Sequence, residues 1–488
     1  MSPPGHDLEG VRSELRRLGY LDHRFERFLL QDALRTRQPA RTLLLLTAKV
    51  ALLSGLALAL ALALALAVAN GNLSASPLDL LPLFLHLFLP ISAHRPQASA
   101  PAALPTGPGE RVALVGVDGI LPAEIDYLIA LGELPELARM AREGRVFSYA
   151  RKAEPPASFW TTVATGVPGP DHGVSSLDSF RPLGVKTALA RSGPLRGWWS
   201  RVEAPLGLAE YRPVLANRRR AFTLWELASR GGEPSLAVNW WATYPAEVIP
   251  GLVVAHGAYQ LLREGAEGAV APPADRAGVA ALAGQLAADA GREGRDPRLA
   301  AALPAAAAAR VLDRALLPDR FYRQVFARRM TENPRAAALY LPGPDIAADG
   351  WRGGDVALAD LVRAELRETD RLLAGSLAGV GTVAVVLDPG RRRGGGEGRV
   401  ILWRRGGCAS APAAARARIR PEMVASALLR ALGLPQSEEL PAPPAGCRWA
   451  PPPVVVAGYG APRRGAPAGQ EGAEYLESLR SLGYLRVE

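Results

Sequence analysis

The sequence predicts an α/β domain, a mostly parallel sheet with helices on both faces, preceded by an N-terminal transmembrane helix. Apolar runs of strand length, such as VALVGVD at 112–118 and TVAVVLD at 382–388, alternate with longer amphipathic stretches. Strands that are buried on both faces of a parallel sheet have this near-continuous apolar composition. An almost unbroken apolar stretch over residues 42–69 predicts the membrane helix, because about 20 apolar residues cross a bilayer as a helix.

The composition is that of a chain able to bury a large core. Of its 488 residues, 49% are hydrophobic and 21% are charged, which excludes a disordered chain. Its two cysteines, Cys408 and Cys447, exclude a disulfide-built scaffold and a zinc finger. They could pair in an oxidising compartment, although nothing in the sequence requires it. The net charge of +10 comes almost entirely from arginine, but no nucleic-acid-binding module is present, so no nucleic-acid partner is expected.

The N-terminal region divides into a polar tail, the membrane helix and a second apolar segment. The tail, residues 1–41, is rich in arginine and is therefore expected in the cytoplasm. Residues 78–93 are expected to form a second short membrane segment, a helix in the membrane interface or a re-entrant segment. One span places the main domain outside the cytoplasm, and two spans place it inside. We expect a protein of the cell membrane, single-pass or two-pass, with the membrane as one partner and another protein as a second candidate.

The remaining chain is a linker followed by one large domain. Residues 94–110 are rich in proline and alanine and are typical of a linker. Residues 111–488 form the predicted α/β domain. A cap or insertion is predicted over about 180–330, where the stretch 261–330 has a helical composition.

Three strand-like runs of the domain each lead into an aspartate. The runs beginning at residues 112, 336 and 382 lead into Asp118, Asp345 and Asp388. Because the carboxyl ends of parallel strands meet at one edge of a sheet, these acids are candidates for a metal or phosphate site. A single aspartate at such a position is more often a helix cap or a turn residue.

Several motifs, in this order along the chain, resemble those of a known family. They are VALVGVDGI at the start of the domain, PPASFWTTVATGVPGPDHGV, NWWATYPAE, YLPGPDIAADGW and the run that ends in LDPG. This series resembles the alkaline phosphatase superfamily, in its type I phosphodiesterase/nucleotide pyrophosphatase branch. The resemblance implies an alkaline-phosphatase-like fold. It also implies phosphoryl or sulfuryl transfer by two divalent cations, usually zinc, which are held by Asp and His side chains, with a Ser or Thr nucleophile between them.

The sequence departs from the family pattern at the positions that carry this chemistry. The resemblance places metal-ligating aspartates at Asp118, Asp345 and Asp388. At two positions where the family has a metal-ligating histidine, this chain has Asp349 and Pro389, and it has no histidine after residue 256. The nucleophile position is Pro156, for which Ser158 is the nearby stand-in.

These departures favour a membrane-anchored pseudoenzyme that binds a ligand or partner and has no cofactor. The alternative is an active phosphodiesterase, phosphatase or sulfatase-type hydrolase with a rebuilt carboxylate site. In that case Asp118, Asp345, Asp349 and Asp388 would hold a divalent cation (Mg²⁺, Mn²⁺ or Zn²⁺), and oxygen ligands suit the first two best. Four carboxylates without a cation would instead need neutralising, for which residues 391–393, all arginine, are candidates. A third possibility is a membrane protein whose domain serves assembly alone.

Overall fold

The computed structural model describes the domain and leaves most of the N-terminal region outside it. The described residues are 104, 107–152, 154–174, 176–182, 189–190, 209–293, 297–349, 351, 355–391, 396–408, 417–449, 454–460, 475, 478 and 479. Within these ranges no helix is both long enough and apolar enough to cross a membrane. The transmembrane helix predicted at 42–69 and the segment 78–93 both lie outside the described residues.

An eight-stranded sheet forms the centre of the domain, in the order β2-β11-β10-β1-β9-β6-β7-β8. The five strands from β10 to β7 are mutually parallel, whereas β11 and β8 pair antiparallel at the two sides of this block. This confirms the predicted α/β architecture with a mostly parallel sheet. The strands of the sheet are β1 Val112–Asp118, β2 Arg145–Ala150, β6 Ser235–Val238, β7 Gly251–Val254, β8 Val270–Ala271, β9 Ala336–Leu341, β10 Thr382–Asp388 and β11 Glu397–Arg404.

The helices cover the sheet through their buried apolar faces. Proline occupies the first turn of several of them, where its missing N–H has no intrahelical partner to lose. The α-helices are α1 Pro122–Ala130, α2 Pro135–Glu143, α3 Pro156–Thr165, α4 Gly169–His172, α5 Leu224–Ser229, α6 Ala258–Arg263, α7 Arg276–Glu293, α8 Pro297–Ala302, α9 Ala305–Val311, α10 Leu317–Met330, α11 Gly343–Ala348, α12 Asp355–Ser376 and α13 Glu422–Ala431.

The region predicted as a cap contributes to both the sheet and the helices. Strands β6, β7 and β8 lie inside the predicted range 180–330 and belong to the main sheet. The stretch 261–330 is mostly helical, as its composition predicts, and includes a π-helical turn at Leu312–Leu316. Outside the main sheet, the described residues also form a three-stranded sheet in the order β4-β3-β5. Its strands are β3 Asp178–Pro182, β4 Leu189–Ala190 and β5 Ala209–Pro213.

A small C-terminal substructure is tied to the end of β11 by a disulfide. Cys408 and Cys447 are bonded, which resolves the pairing that the sequence leaves open. A two-stranded parallel sheet pairs β12 (Gln436–Ser437) with β13 (Val455–Val456). The disulfide closes a loop of chain that contains α13, which packs on α3 and β10.

Parallel register brings two of the predicted aspartates side by side. Asp118 and Asp388 are directly paired at the carboxyl ends of β1 and β10. On the other side of β1, β9 ends at Leu341, and one residue later α11 begins, with Asp345 in its first turn. The topology therefore gathers the three strand-end aspartates at one edge of the sheet.

Candidate functional site

The three aspartates at the strand ends are completely buried. Asp118, Asp345 and Asp388 have no solvent-accessible surface. Burial raises the pKa of Asp118 well above its usual range, and the charges of Asp345 and Asp388 raise it further. Burial also raises the pKa of Asp345, while Arg391 opposes this shift. Carboxylates so close together and so far from water need compensating donors or cations.

Aromatic side chains donate hydrogen bonds to Asp118. Its Oδ2 accepts bonds from the Tyr340 hydroxyl at 2.8 Å and from Trp160 Nε1 at 3.1 Å, and its Oδ1 accepts from the Gly119 backbone at 3.0 Å. Trp160 can lie against β1 because residue 116 is glycine, where a Cβ atom would meet the indole ring closer than 3.0 Å. The first carboxyl group is therefore satisfied entirely by the protein.

Asp388 accepts hydrogen bonds from two residues at the end of β2, Tyr149 and Arg151. Tyr149 donates its hydroxyl hydrogen to Asp388 Oδ1 at 2.8 Å, and Arg151 Nε donates to Oδ2 at 3.0 Å. The remaining nitrogens of Arg151 donate to the carbonyls of Lys152 and Glu154. Its guanidinium also lies over the Phe159 ring, 4.5 Å from the centroid. Arg151 is thus held on all sides, and 9% of its side chain is exposed.

Arg391 links Asp345 with Asp349, the fourth predicted acid. Its Nε donates to Asp345 Oδ2 at 2.8 Å, and its backbone N–H donates to Oδ1 of the same carboxylate at 2.7 Å. Its Nη1 lies 3.0 Å from Asp349 Oδ2. The prediction that arginine after β10 neutralises the acids is therefore met by Arg391. Residues 392 and 393 lie outside the described residues.

Ser158, the predicted stand-in nucleophile, lies in the first turn of α3 and is buried. Its hydroxyl donates to Glu154 Oε2 at 2.9 Å. No hydrogen bond joins it to the four aspartates, all of which are described. Pro156, at the family's nucleophile position, is the first residue of α3. The structure thus brings the four acids together and directs Ser158 to a different partner.

The residues at this edge do not fit the pair of metal ions that the family resemblance implies. Every oxygen of the three buried carboxyl groups accepts a hydrogen bond from the protein. Two guanidinium groups supply positive charge in direct contact with the acids. Across the described part of the chain, no three His, Cys, Asp or Glu side chains are arranged to hold a metal ion. A cation would have to displace these internal donors.

Sequence reasoning missed four of the residues that complete the edge, namely Tyr149, Arg151, Trp160 and Tyr340. Each reaches its aspartate through pairing or packing between segments that are far apart in sequence. Trp160 lies within the PPASFW motif and is the one that the sequence could have indicated.

His172 supports the first turns of α3 in its neutral form. Its Nδ1 accepts a hydrogen bond from the Val174 backbone N–H at 3.1 Å, so the proton lies on Nε2. Nε2 lies 3.2 Å from the Ser158 carbonyl and 3.1 Å from the Thr162 hydroxyl. Burial lowers the pKa of His172 to about 3.

We expect this histidine to make the domain less stable in mild acid. Because its pKa is lower in the folded chain than in the unfolded chain, its stabilising contribution is present above about pH 6.5 and is lost as the pH falls toward 3. Between pH 7.5 and pH 5 the loss is about 2 kcal/mol. Chemical denaturation of the wild type and of His172→Asn, whose amide oxygen can replace Nδ1, should show a steeper pH dependence in the wild type. Equal dependences would contradict the assignment.

One comparison with known proteins agrees with the family resemblance of the motifs. A family model described as type I phosphodiesterase / nucleotide pyrophosphatase matches residues 112–382. No curated protein sequence matches the chain significantly. Among solved structures, it is similar to phosphonoacetate hydrolase from Sinorhizobium meliloti 1021 in complex with phosphonoformate, with 15% identity and a TM-score of 0.36. It is also similar to murine ectonucleotide pyrophosphatase / phosphodiesterase 5, with 14% identity and a TM-score of 0.29. The matches cover 59% of this chain and 59% of the hydrolase, and 57% of this chain and 56% of the murine protein.

Proposed function

Since the chain belongs to the type I phosphodiesterase/nucleotide pyrophosphatase family, we propose that it is a member that has lost two-metal phosphoester hydrolysis. It would act instead by binding a ligand or a protein partner. The observation that carries this proposal is that N–H and O–H groups of the protein donate hydrogen bonds to Asp118, Asp345 and Asp388. Oxygens that ligate a divalent cation direct lone pairs at it, whereas here they accept hydrogen bonds from N–H and O–H groups.

The position of the nucleophile supports the same proposal. Proline at 156 has no hydroxyl group, and the Ser158 hydroxyl is bonded to Glu154. Among the described residues, no serine or threonine hydroxyl is hydrogen-bonded to the three buried acids. Covalent phosphoryl transfer needs a nucleophile next to the groups that stabilise the phosphoryl oxygens.

We further propose that residues 42–69 anchor the chain in the cell membrane, with the domain outside the cytoplasm. The length and apolar composition of that segment support the anchor. The bond between Cys408 and Cys447 supports the location, because disulfides persist in oxidising compartments. The segment 78–93 would then lie at the membrane without crossing it. Reaction of both thiols with a maleimide before any reduction would contradict this topology.

Turnover of model esters tests the loss of hydrolysis. The full chain, purified in detergent, would be assayed with p-nitrophenyl phosphate and bis-p-nitrophenyl phosphate in the presence of Mg²⁺, Mn²⁺ or Zn²⁺. We expect no turnover above that of the control variant Asp118→Asn, which keeps the size of the side chain but removes its ionisable carboxyl group. Metal-dependent turnover in the wild type that the variant lacks would favour the alternative, an active hydrolase with a rebuilt carboxylate site.

A further inference from the structure

The turn after β10 fills the space between the three buried acids. Gly390 donates its backbone N–H to Asp388 Oδ2 at 3.0 Å, and Arg391 donates its own to Asp345 Oδ1 at 2.7 Å. A Cβ atom on Gly390 would lie closer than 3.0 Å to both Asp345 Oδ1 and Asp118 Oδ1. These two oxygens therefore face one small space, and the glycine backbone occupies it.

The guanidinium of Arg391 continues this filling toward the outside. It contacts the buried Asp345 through Nε at 2.8 Å and the half-buried Asp349 through Nη1 at 3.0 Å. One positive group is thus shared between two carboxylates that are four positions apart in sequence. The family resemblance implies that an aspartate and a histidine at these two positions ligate a metal ion in other members.

The two arginines, Arg151 and Arg391, differ in how far they are exposed. Each arginine uses all three of its side-chain nitrogens, but Arg151 also packs on Phe159 and has 9% of its side chain exposed. Arg391 is 27% exposed and lies at the outer side of the cluster. Its removal would leave the buried Asp345 carboxylate without its cation while the backbone bond from residue 391 remains.

We propose that Arg151 and Arg391 take the place of the two metal ions as resident cations, so that the chain itself holds this edge of the sheet together without metal. This inference rests on the proposed loss of two-metal hydrolysis and goes beyond it, because it says what replaced the metals. It implies that the guanidinium of Arg391 prevents a divalent cation from binding to the acids and stabilising the folded chain. A variant without that group should be stabilised by such a cation.

The test compares thermal unfolding of the full-length wild type with that of Arg391→Gln, each with a chelator and with 10 mM MnCl₂. We expect the wild-type midpoint to be the same in both conditions. We expect the variant to unfold at a lower temperature in chelator and to gain about 2 °C or more in MnCl₂, as a ligand that binds only the folded state requires. Arg391→Lys, which keeps the charge, should respond to MnCl₂ less than Arg391→Gln does.

Further variants locate the response and keep the test decisive. Arg371→Gln removes an exposed arginine of α12 and should leave both midpoints unchanged. Arg391→Gln combined with Asp345→Asn should lose the response to MnCl₂. A wild type stabilised by MnCl₂ as much as Arg391→Gln, or an Arg391→Gln protein indifferent to it, would overturn the inference. The second result would leave the proposed loss of hydrolysis standing, because turnover of the wild type tests that separately.

Discussion

Replacement of Arg151 by methionine is expected to lower the free energy of unfolding by about 3–5 kcal/mol. The variant leaves the buried Asp388 without its ion-pair partner, and the carbonyls of Lys152 and Glu154 lose their donor. Methionine keeps an apolar stem over Phe159, so the lost stability reports mainly on charge and hydrogen bonding. Chemical denaturation of the purified chain measures the change.

Two controls separate this effect from a general loss of arginine. Arg371→Met removes an exposed pair with Glu368 and should cost less than about 0.5 kcal/mol. The double variant Arg151→Met with Asp388→Leu removes both charges, and it should be more stable than Arg151→Met alone, because the uncompensated buried carboxylate is gone. If Arg151→Met were as stable as Arg371→Met, the resident-cation account would be wrong at this position.

The substitution Gly390→Ala is expected to have the second large effect, lowering the free energy of unfolding by about 3 kcal/mol or more. The residue has a φ of 58°, a conformation in which alanine costs about 1–2 kcal/mol relative to glycine. The added methyl group would also push into the carboxylates of Asp345 and Asp118, and overpacking of a buried site costs a further 1–3 kcal/mol or so. Denaturant titration of the two proteins gives the difference.

The chain provides a matched control for this substitution. Gly406 has a φ of 59° and open space around its Cβ position. Gly406→Ala therefore carries the backbone cost alone and should lose about 1–2 kcal/mol. Equal losses for the two variants would mean that the turn at Gly390 is not packed between the acids.

Much of this site could be predicted from the sequence. Apolar runs that end in aspartate indicate parallel strands, and parallel strands place Asp118 and Asp388 at the same edge. The family resemblance added Asp349 to the candidate acids, and the arginine run after β10 offered candidates to neutralise them. These inferences depend on local patterns, on one rule of sheet topology and on the family resemblance.

The donors that satisfy the cluster could not be predicted in the same way. Arg151 and Tyr149 lie at the end of β2, more than 230 residues from Asp388 in sequence. They come close to Asp388 because β11 pairs antiparallel with both β2 and β10. Tyr340 is one apolar position among six in β9, and nothing local marks its hydroxyl as a donor to Asp118. Long-range strand order, which the sequence pattern leaves open, decides these contacts.

The metal content of the wild-type chain tests the central claim most directly. The full chain would be incubated with ZnCl₂ and MnCl₂, passed through a desalting column and measured by elemental mass spectrometry against protein concentration. If Arg151 and Arg391 replace the metal ions, the wild type should retain far less than one bound equivalent of either metal per chain. The control variant Arg371→Gln should give the same result. One or two equivalents in the wild type, lost in Asp118→Asn, would contradict the claim, because the carboxylates would then be metal ligands and the guanidinium groups would not have replaced the ions.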